Sequence, residues 1–241
     1  VREAQERCTR VVVSIFVNPT QFAPDEDLAT YPQDLDGDLE KLEALGVDAV
    51  FMPTPDILYP QGFDTFIAPE NLGNNLCGTS RPIHFKGVCT VVTILFRVTG
   101  CDTAIFGQKD YQQLLIIKQM NRDLHLGVEV LGMPIIRESD GLAMSSRNAY
   151  LSKEEREQAL CLNKSLEWAK RRVADGETDV ETLTNGIRQQ IQAHPLAEID
   201  YVKIVDAENL AVLEKLQAPV LCALAVHLGK TRLIDNMVLE P

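Results

Sequence analysis

Apolar residues in this chain recur at two periods, and the switching between them lays out the fold. Residues 11–17 (V-V-V-S-I-F-V) form an almost unbroken β-branched and aromatic run closed by Asn18-Pro19. That is the pattern of a strand buried on both faces of a parallel sheet. From Asp34 the spacing becomes helical: Leu35, Leu39, Leu42 and Leu45 share one face until Gly46, after which Ala49, Val50 and Phe51 make a short strand ended by Pro53. The pattern continues with a helix over 87–98, a strand over 103–106, a helix over 111–124 and a strand over 128–131. Such alternation predicts an open, mostly parallel α/β sheet, which binds ligands at the carboxyl ends of its strands, where the loops beginning at Asn18 and Gly107 lie.

Past Pro134 the texture changes. Two long helical patterns, 153–174 and 180–193, precede strand-like runs at 201–205, 220–226 and 231–238. Helices followed by adjacent strands predict a separate α+β domain. The expected division is therefore 1–133 and 134–241.

Charge narrows the function. The net charge of -12 gives a field that repels nucleic-acid phosphates and anionic lipid, so neither nucleic acid nor a membrane is an expected partner. A few local cations and backbone N–H groups can still hold a small phosphate in a cleft. Cys8, Cys77, Cys89, Cys101, Cys161 and Cys222 contain no C-x-x-C pair and no zinc-type cluster with histidine, and they read as scattered reduced thiols. With no spanning apolar run and no secretory pattern at Val1, a cytoplasmic location is the expectation.

Four segments carry candidate chemistry. In V-N-P-T-Q-F, Asn18 and Gln21 offer amide donors and acceptors after a strand, although Asn-Pro also suits a plain turn. The stretch from Gly78 to Gly87 sets Arg81, His84 and Lys86 ahead of a helix start, where an anion could bind or a solvated loop could simply pass. G-Q-K-D-Y-Q-Q from Gly107 is a strand-glycine-helix junction with a phosphate-capable lysine, but it lacks Walker A spacing. D-G-L-A-M-S-S-R-N from Asp140 groups two hydroxyls with a guanidinium, which suits polyphosphate oxygens, and no G-x-S-x-G elbow marks a serine nucleophile.

In this order, V-N-P-T-Q-F, S-R-P-I-H-F-K-G-V, F-G-Q-K-D-Y-Q-Q and G-L-A-M-S-S-R-N resemble the pantothenate synthetase family across essentially the whole chain, and L-I-D-N at 233–236 fits its ending. The resemblance implies a Rossmann-like, doubly wound parallel sheet of the nucleotidyltransferase type, a smaller α+β C-terminal lid domain, and a homodimer. It implies a ligase that activates pantoate with Mg-ATP as pantoyl adenylate, releases pyrophosphate, and joins the acyl group to β-alanine with release of AMP. By motif, Gln21 and Gln113 would hold pantoate, Gln21 would also lie near β-alanine, and Asn18, Arg81 and His84 would shape that pocket. Gly107, Gln108, Lys109, Asp110, Ile136, Met144, Ser145, Ser146 and Arg147 would contact ATP. Among these, Lys109, Ser145, Ser146 and Arg147 would stabilise charge developing on the phosphates. A Mg²⁺ ligand is expected at Asp38 or Asp36, since Gly37 stands where the family usually has an acidic residue. Gln108 replaces a more usual Glu. Val1 aligns just after the family's H-x-G-H segment, so the chain as it stands is expected to be poorly active. The competing expectations are another adenylyl-transferring enzyme of the same type and a non-catalytic ligand-binding relative.

Overall fold

A computed structural model gives the fold and describes every residue except Asp25, Ala218 and Pro241. In chain order the elements are α1 (Arg2–Arg7), β1 (Val12–Ser14), α2 (Leu35–Ala44), β2 (Ala49–Phe51), α3 (Pro55–Leu58), α4 (Cys77–Ser80), α5 (His84–Thr99), β3 (Thr103–Gly107), α6 (Tyr111–Asp123), β4 (Glu129–Met133), α7 (Lys153–Ala159), α8 (Cys161–Ala174), α9 (Val180–Gln192), β5 (Ala197–Asp206), β6 (Val220–Leu228) and β7 (Thr231–Leu239). They form two compact units. One comprises Val1–Asn74, Gly78–Phe106 and Ile116–Met133; the other comprises Asn75–Cys77, Gly107–Leu115 and Pro134–Pro241.

In the first unit β1 pairs parallel with β2, Val12 opposite Ala49, and β3 lies beside β4. Among the described residues these are two separate two-stranded sheets. The run expected as a seven-residue strand is regular only over Val12–Ser14, and Val12 is 49% exposed. Apolar content identifies a strand, but its burial depends on what covers it. Helix α5 supplies much of this unit's core through Val88, Cys89, Val91, Val92 and Phe96, which are buried. The helix begins three residues before Gly87, so that glycine lies inside the first turn.

The second unit has its own core. Leu162, Leu166 and Ala169 of α8 and Leu183, Ile187 and Ile191 of α9 pack against Val202, Leu224, Leu228 and Leu239 of an antiparallel sheet ordered β5-β6-β7. The single helix expected over 153–174 is interrupted at Leu160 into α7 and α8, and a capping box formed by Ser152 and Glu155 starts α7. No described helix is long and apolar enough to cross a membrane.

Candidate active site

The loop after β1 is built on Asn18, which is 2% exposed. Its carbonyl oxygen accepts from Thr20 N at 3.3 Å, Thr20 Oγ1 at 3.0 Å and Tyr59 Oη at 2.8 Å. Its amide nitrogen donates to Gly87 O at 3.1 Å and to Gln21 Oε1 at 3.3 Å. Asn18 thus caps the 3-10 turn Pro19–Gln21, with proline at the first position, and uses its amide internally. Gln21 differs. Its Oε1 is engaged by Asn18, while its two Nε2 hydrogens meet no acceptor among the described residues. Half-buried, that donor pair is available to a ligand.

Behind Gln21 stand Arg81 and His84. The Arg81 guanidinium donates through Nε to both Glu26 carboxylate oxygens, at 3.1 and 3.0 Å, and its Nη2 makes a further close contact with Oε2. Nη2 also donates to Gln21 O at 3.3 Å, and Nη1 lies 3.3 Å from His84 Nε2. Since guanidinium can only donate, Nε2 accepts; His84 Nδ1 then carries the hydrogen and donates to Gln21 O at 3.1 Å. Two side chains therefore converge on one backbone carbonyl and fix how Gln21 is presented. The sequence offered Arg81 and Lys86 either as cations for an anion or as part of a solvated loop. In the structure Glu26 neutralises Arg81, and the Lys86 ammonium lies 4.3 Å from the centre of the Phe66 ring. Gly87 allows the loop to sit so close, because a Cβ there would lie 2.5 Å from Thr20 O and 2.6 Å from Gln21 N.

The second unit holds the other group. Residues Gln108–Asp110 form a 3-10 turn leading into α6. No hydrogen bond or ion pair engages the Lys109 ammonium among the described residues, and Lys109 lines a small cavity with Ser145, Asn148 and Asp235. Ser145 caps the 3-10 turn Ser146–Tyr150, its Oγ accepting from Arg147 N at 3.3 Å. Before it, Arg137 bridges Ala143, and Met144 N donates to Ile136 O at 2.9 Å. Ile136 and Met144 are thereby neighbours, 65% and 56% exposed. Gln112 and Gln113 divide their tasks. Gln112 is buried, receiving Cys77 N at 3.0 Å and donating to Asn75 O at 2.7 Å, while half-buried Gln113 has no hydrogen-bond partner among the described residues.

Several residues to which the sequence assigned no role hold this group. Arg137 forms a two-pronged pair with Asp235, at 2.7 and 3.0 Å, and Asn236 donates to Gln108 O and Lys109 O. Asn148 donates to Glu138 Oε1 at 2.6 Å and to Ala143 O at 3.1 Å, and Glu138 and Asp140 both receive Arg156. The Arg156 guanidinium, followed by the Asn148 amide, holds the Glu138 carboxyl below its ordinary range. The available signal was a pair of consecutive polar residues, Asp235-Asn236, inside a strand of otherwise alternating burial.

Asp36 and Asp38, the two alternatives for a Mg²⁺ ligand, lie in the first turn of α2. They are two residues apart on α2, so their side chains leave different faces, and Asp38 is ion-paired with Lys41 at 3.5 Å. Among the described residues no group of three or more potential metal ligands occurs.

The parallel-strand α/β unit carries amide donors on the turn after β1, and in the α+β unit a lysine without a hydrogen-bond partner among the described residues lines a cavity with Ser145. The family model described as pantoate-beta-alanine ligase matches residues 1–238, and the chain belongs to this family of enzymes. The pantothenate synthetase of Heliobacterium modesticaldum is 53% identical over 240 residues, covering 100% of this chain and 85% of the relative. That of Clostridium botulinum is 50% identical over 240 residues with the same coverage. The crystal structure of pantothenate synthetase from Thermus thermophilus superposes with a TM-score of 0.96 at 41% identity, covering 99% of this chain and 87% of that one. The pantoate-beta-alanine ligase from Francisella tularensis, solved in complex with beta-gamma ATP and beta-alanine, has a TM-score of 0.79 at 35% identity and covers 98% of this chain and 82% of that one.

Proposed function

We propose that the protein joins pantoate to β-alanine using ATP, through pantoyl adenylate. A pantoate carboxylate oxygen attacks the α-phosphorus and pyrophosphate leaves. The β-alanine amine then attacks the acyl carbon; AMP departs with the electrons of the C–O bond, the amine loses a proton, and the amide of pantothenate remains. Activation is needed because a free carboxylate is a poor acyl donor.

The reading is supported most by which donors are left over. In each group the neighbours are tied to protein atoms, while among the described residues the Nε2 of Gln21, the amide of Gln113 and the ammonium of Lys109 are not. Gln21 and Gln113 bind pantoate, and Gln21 also borders β-alanine. Asn18, Arg81 and His84 act on that pocket through the Gln21 turn. Lys109, Ser145, Ser146 and Arg147 face the phosphates, where preorganised donors lower the barrier to adenylation. Gly107, Gln108 and Asp110 offer backbone to the nucleotide, and the exposed pair Ile136 and Met144 offers an apolar surface to its base. On this reading residues 1–133 hold the acid and residues 134–241 are the lid, in a homodimer. Mg²⁺ would enter with ATP.

The test incubates the intact enzyme with pantoate, β-alanine and Mg-ATP and follows AMP and pantothenate together. Equal yields of the two are expected. Lys109→Ala should slow adenylation by roughly 100- to 1,000-fold, whereas Gln21→Ala should chiefly raise the KM for pantoate. A folded enzyme that makes no pantothenate, or makes AMP independently of pantoate, overturns the assignment.

A further inference from the structure

The L-I-D-N run near the C-terminus has no part in the chemistry above, yet it is where β7 departs from its own pattern. Burial alternates along the strand until Asp235 and Asn236, which are 2% and 6% exposed in succession. Successive strand residues leave opposite faces. Asp235 falls on the core-facing set with Leu233 and Leu239, and Asn236 on the other. Two adjacent polar residues are therefore buried by different parts of the protein.

Asn236 is covered by the turn that carries Lys109. Its Nδ2 donates to Gln108 O at 3.0 Å and to Lys109 O at 2.8 Å, using both amide hydrogens on two consecutive carbonyls. Asp235 faces the segment leading to the hydroxyl-rich loop. Its two oxygens receive Arg137 at 2.7 and 3.0 Å, and Arg137 Nη1 also donates to Gly141 O at 3.1 Å. The two arms are joined, because Asn236 N donates to Asp235 Oδ1 at 2.8 Å. Removing one partner from such a network leaves buried polar groups unsatisfied.

We infer that Asp235 and Asn236 are positioning residues for adenylation: a single point on β7 sets the Lys109 turn against the Met144–Arg147 loop, so that ammonium and hydroxyl donors meet one phosphate group together. Neither residue touches substrate in this scheme; Asn236 acts through Lys109 and Asp235 through Arg137. The inference rests on the assignment of Lys109 to the phosphates.

The test is a double-mutant cycle in the intact enzyme, reading pantoate-dependent exchange of pyrophosphate into ATP. Asn236→Ala and Asn236→Asp should each lower the exchange kcat by roughly 10- to 100-fold, with a smaller change in the KM for pantoate. In a Lys109→Ala background the same substitutions should cost less than about twofold more, because the group they position is gone. Losses that multiply, or a folded Asn236→Asp enzyme with unchanged exchange, overturn the inference. If Lys109→Ala itself is silent, the phosphate assignment falls instead, so the two failures are told apart. Asn236→Asp keeps the side chain's shape and removes its donors, which preserves the test should Asn236→Ala fail to fold. In that variant, amide exchange at Lys109 and Asp110 should quicken while amides of β5 stay protected; equal quickening in both would mean a general loss of structure and would also overturn the inference.

Discussion

At the scale of single residues, the presentation of Gln21 depends on an absent methyl group. Gly87 meets the backbone of Thr20 and Gln21 so closely that any Cβ would fall 2.5 to 2.6 Å from main-chain atoms. The same turn is fixed by Asn18, whose Oδ1 accepts from Thr20 N, and by Arg81 and His84, which donate to Gln21 O. A helix-interior glycine ordinarily gains stability on becoming alanine, by about 1 kcal/mol. Here the added carbon has no flexible neighbour to displace. Gly87→Ala should therefore destabilise by about 1–3 kcal/mol, as overpacking does, and raise the KM for pantoate because the Gln21 turn must retreat. Thermal melting together with the pantoate KM checks this; unchanged values in both would show that the turn is not held by this contact.

At the scale of elements, the second unit rests on α8 and α9 against a three-stranded sheet. The close approach of the two helices is made at Gly186, where a Cβ would lie 1.9 Å from Trp168 Cη2. Helix propensity alone predicts that Gly186→Ala stabilises; packing predicts the reverse, by roughly 1–3 kcal/mol. The melting temperature should fall by several degrees, and Trp168→Leu in the same chain should recover part of the loss. A rise in melting temperature for the single variant would mean that the indole ring moves aside without cost. The N-terminus of α7 is secured differently, by the reciprocal Ser152 and Glu155 bonds.

At the scale of the whole molecule, acid should be the weak side of the stability profile. Arg156 and then Asn148 hold the Glu138 carboxyl below its ordinary 4.5, and the Thr182 amide holds Asp179 below its ordinary 3.8. A depressed folded pKa means that the unfolded chain takes up protons first as pH falls. The contribution is thus complete above the unfolded value and is lost as pH drops through the folded one. Melting temperature should be nearly level from pH 7 to about 5 and decline below that. Glu138→Gln should make the decline shallower, and a decline as steep as the parent's would remove Glu138 from the account. Both residues are partly exposed, so solvent screening keeps the effect of each modest.

The sequence by itself determined the order of elements. Ala49–Phe51 is the strand that its three apolar residues and Pro53 announced, and α6 runs from Tyr111 to within one residue of its expected end. These features are local: they follow from periodicity and from breakers that act on neighbouring residues. The four motifs are local in the same sense, each a run of neighbouring residues. Which side chains within them remain open to a ligand was decided only by tertiary structure. Arg81 looked like an available cation, but its partner Glu26 lies 55 residues away; the turn bearing Lys109 is held by Asn236, 128 positions on, and Arg137 by Asp235, 98 positions on. Burial of the first strand on both faces was expected and is not observed, because apolar residues show that a segment can be covered and not what covers it. Hydrogen bonds between distant segments satisfy groups that the local pattern leaves open, and only the folded chain brings those segments together.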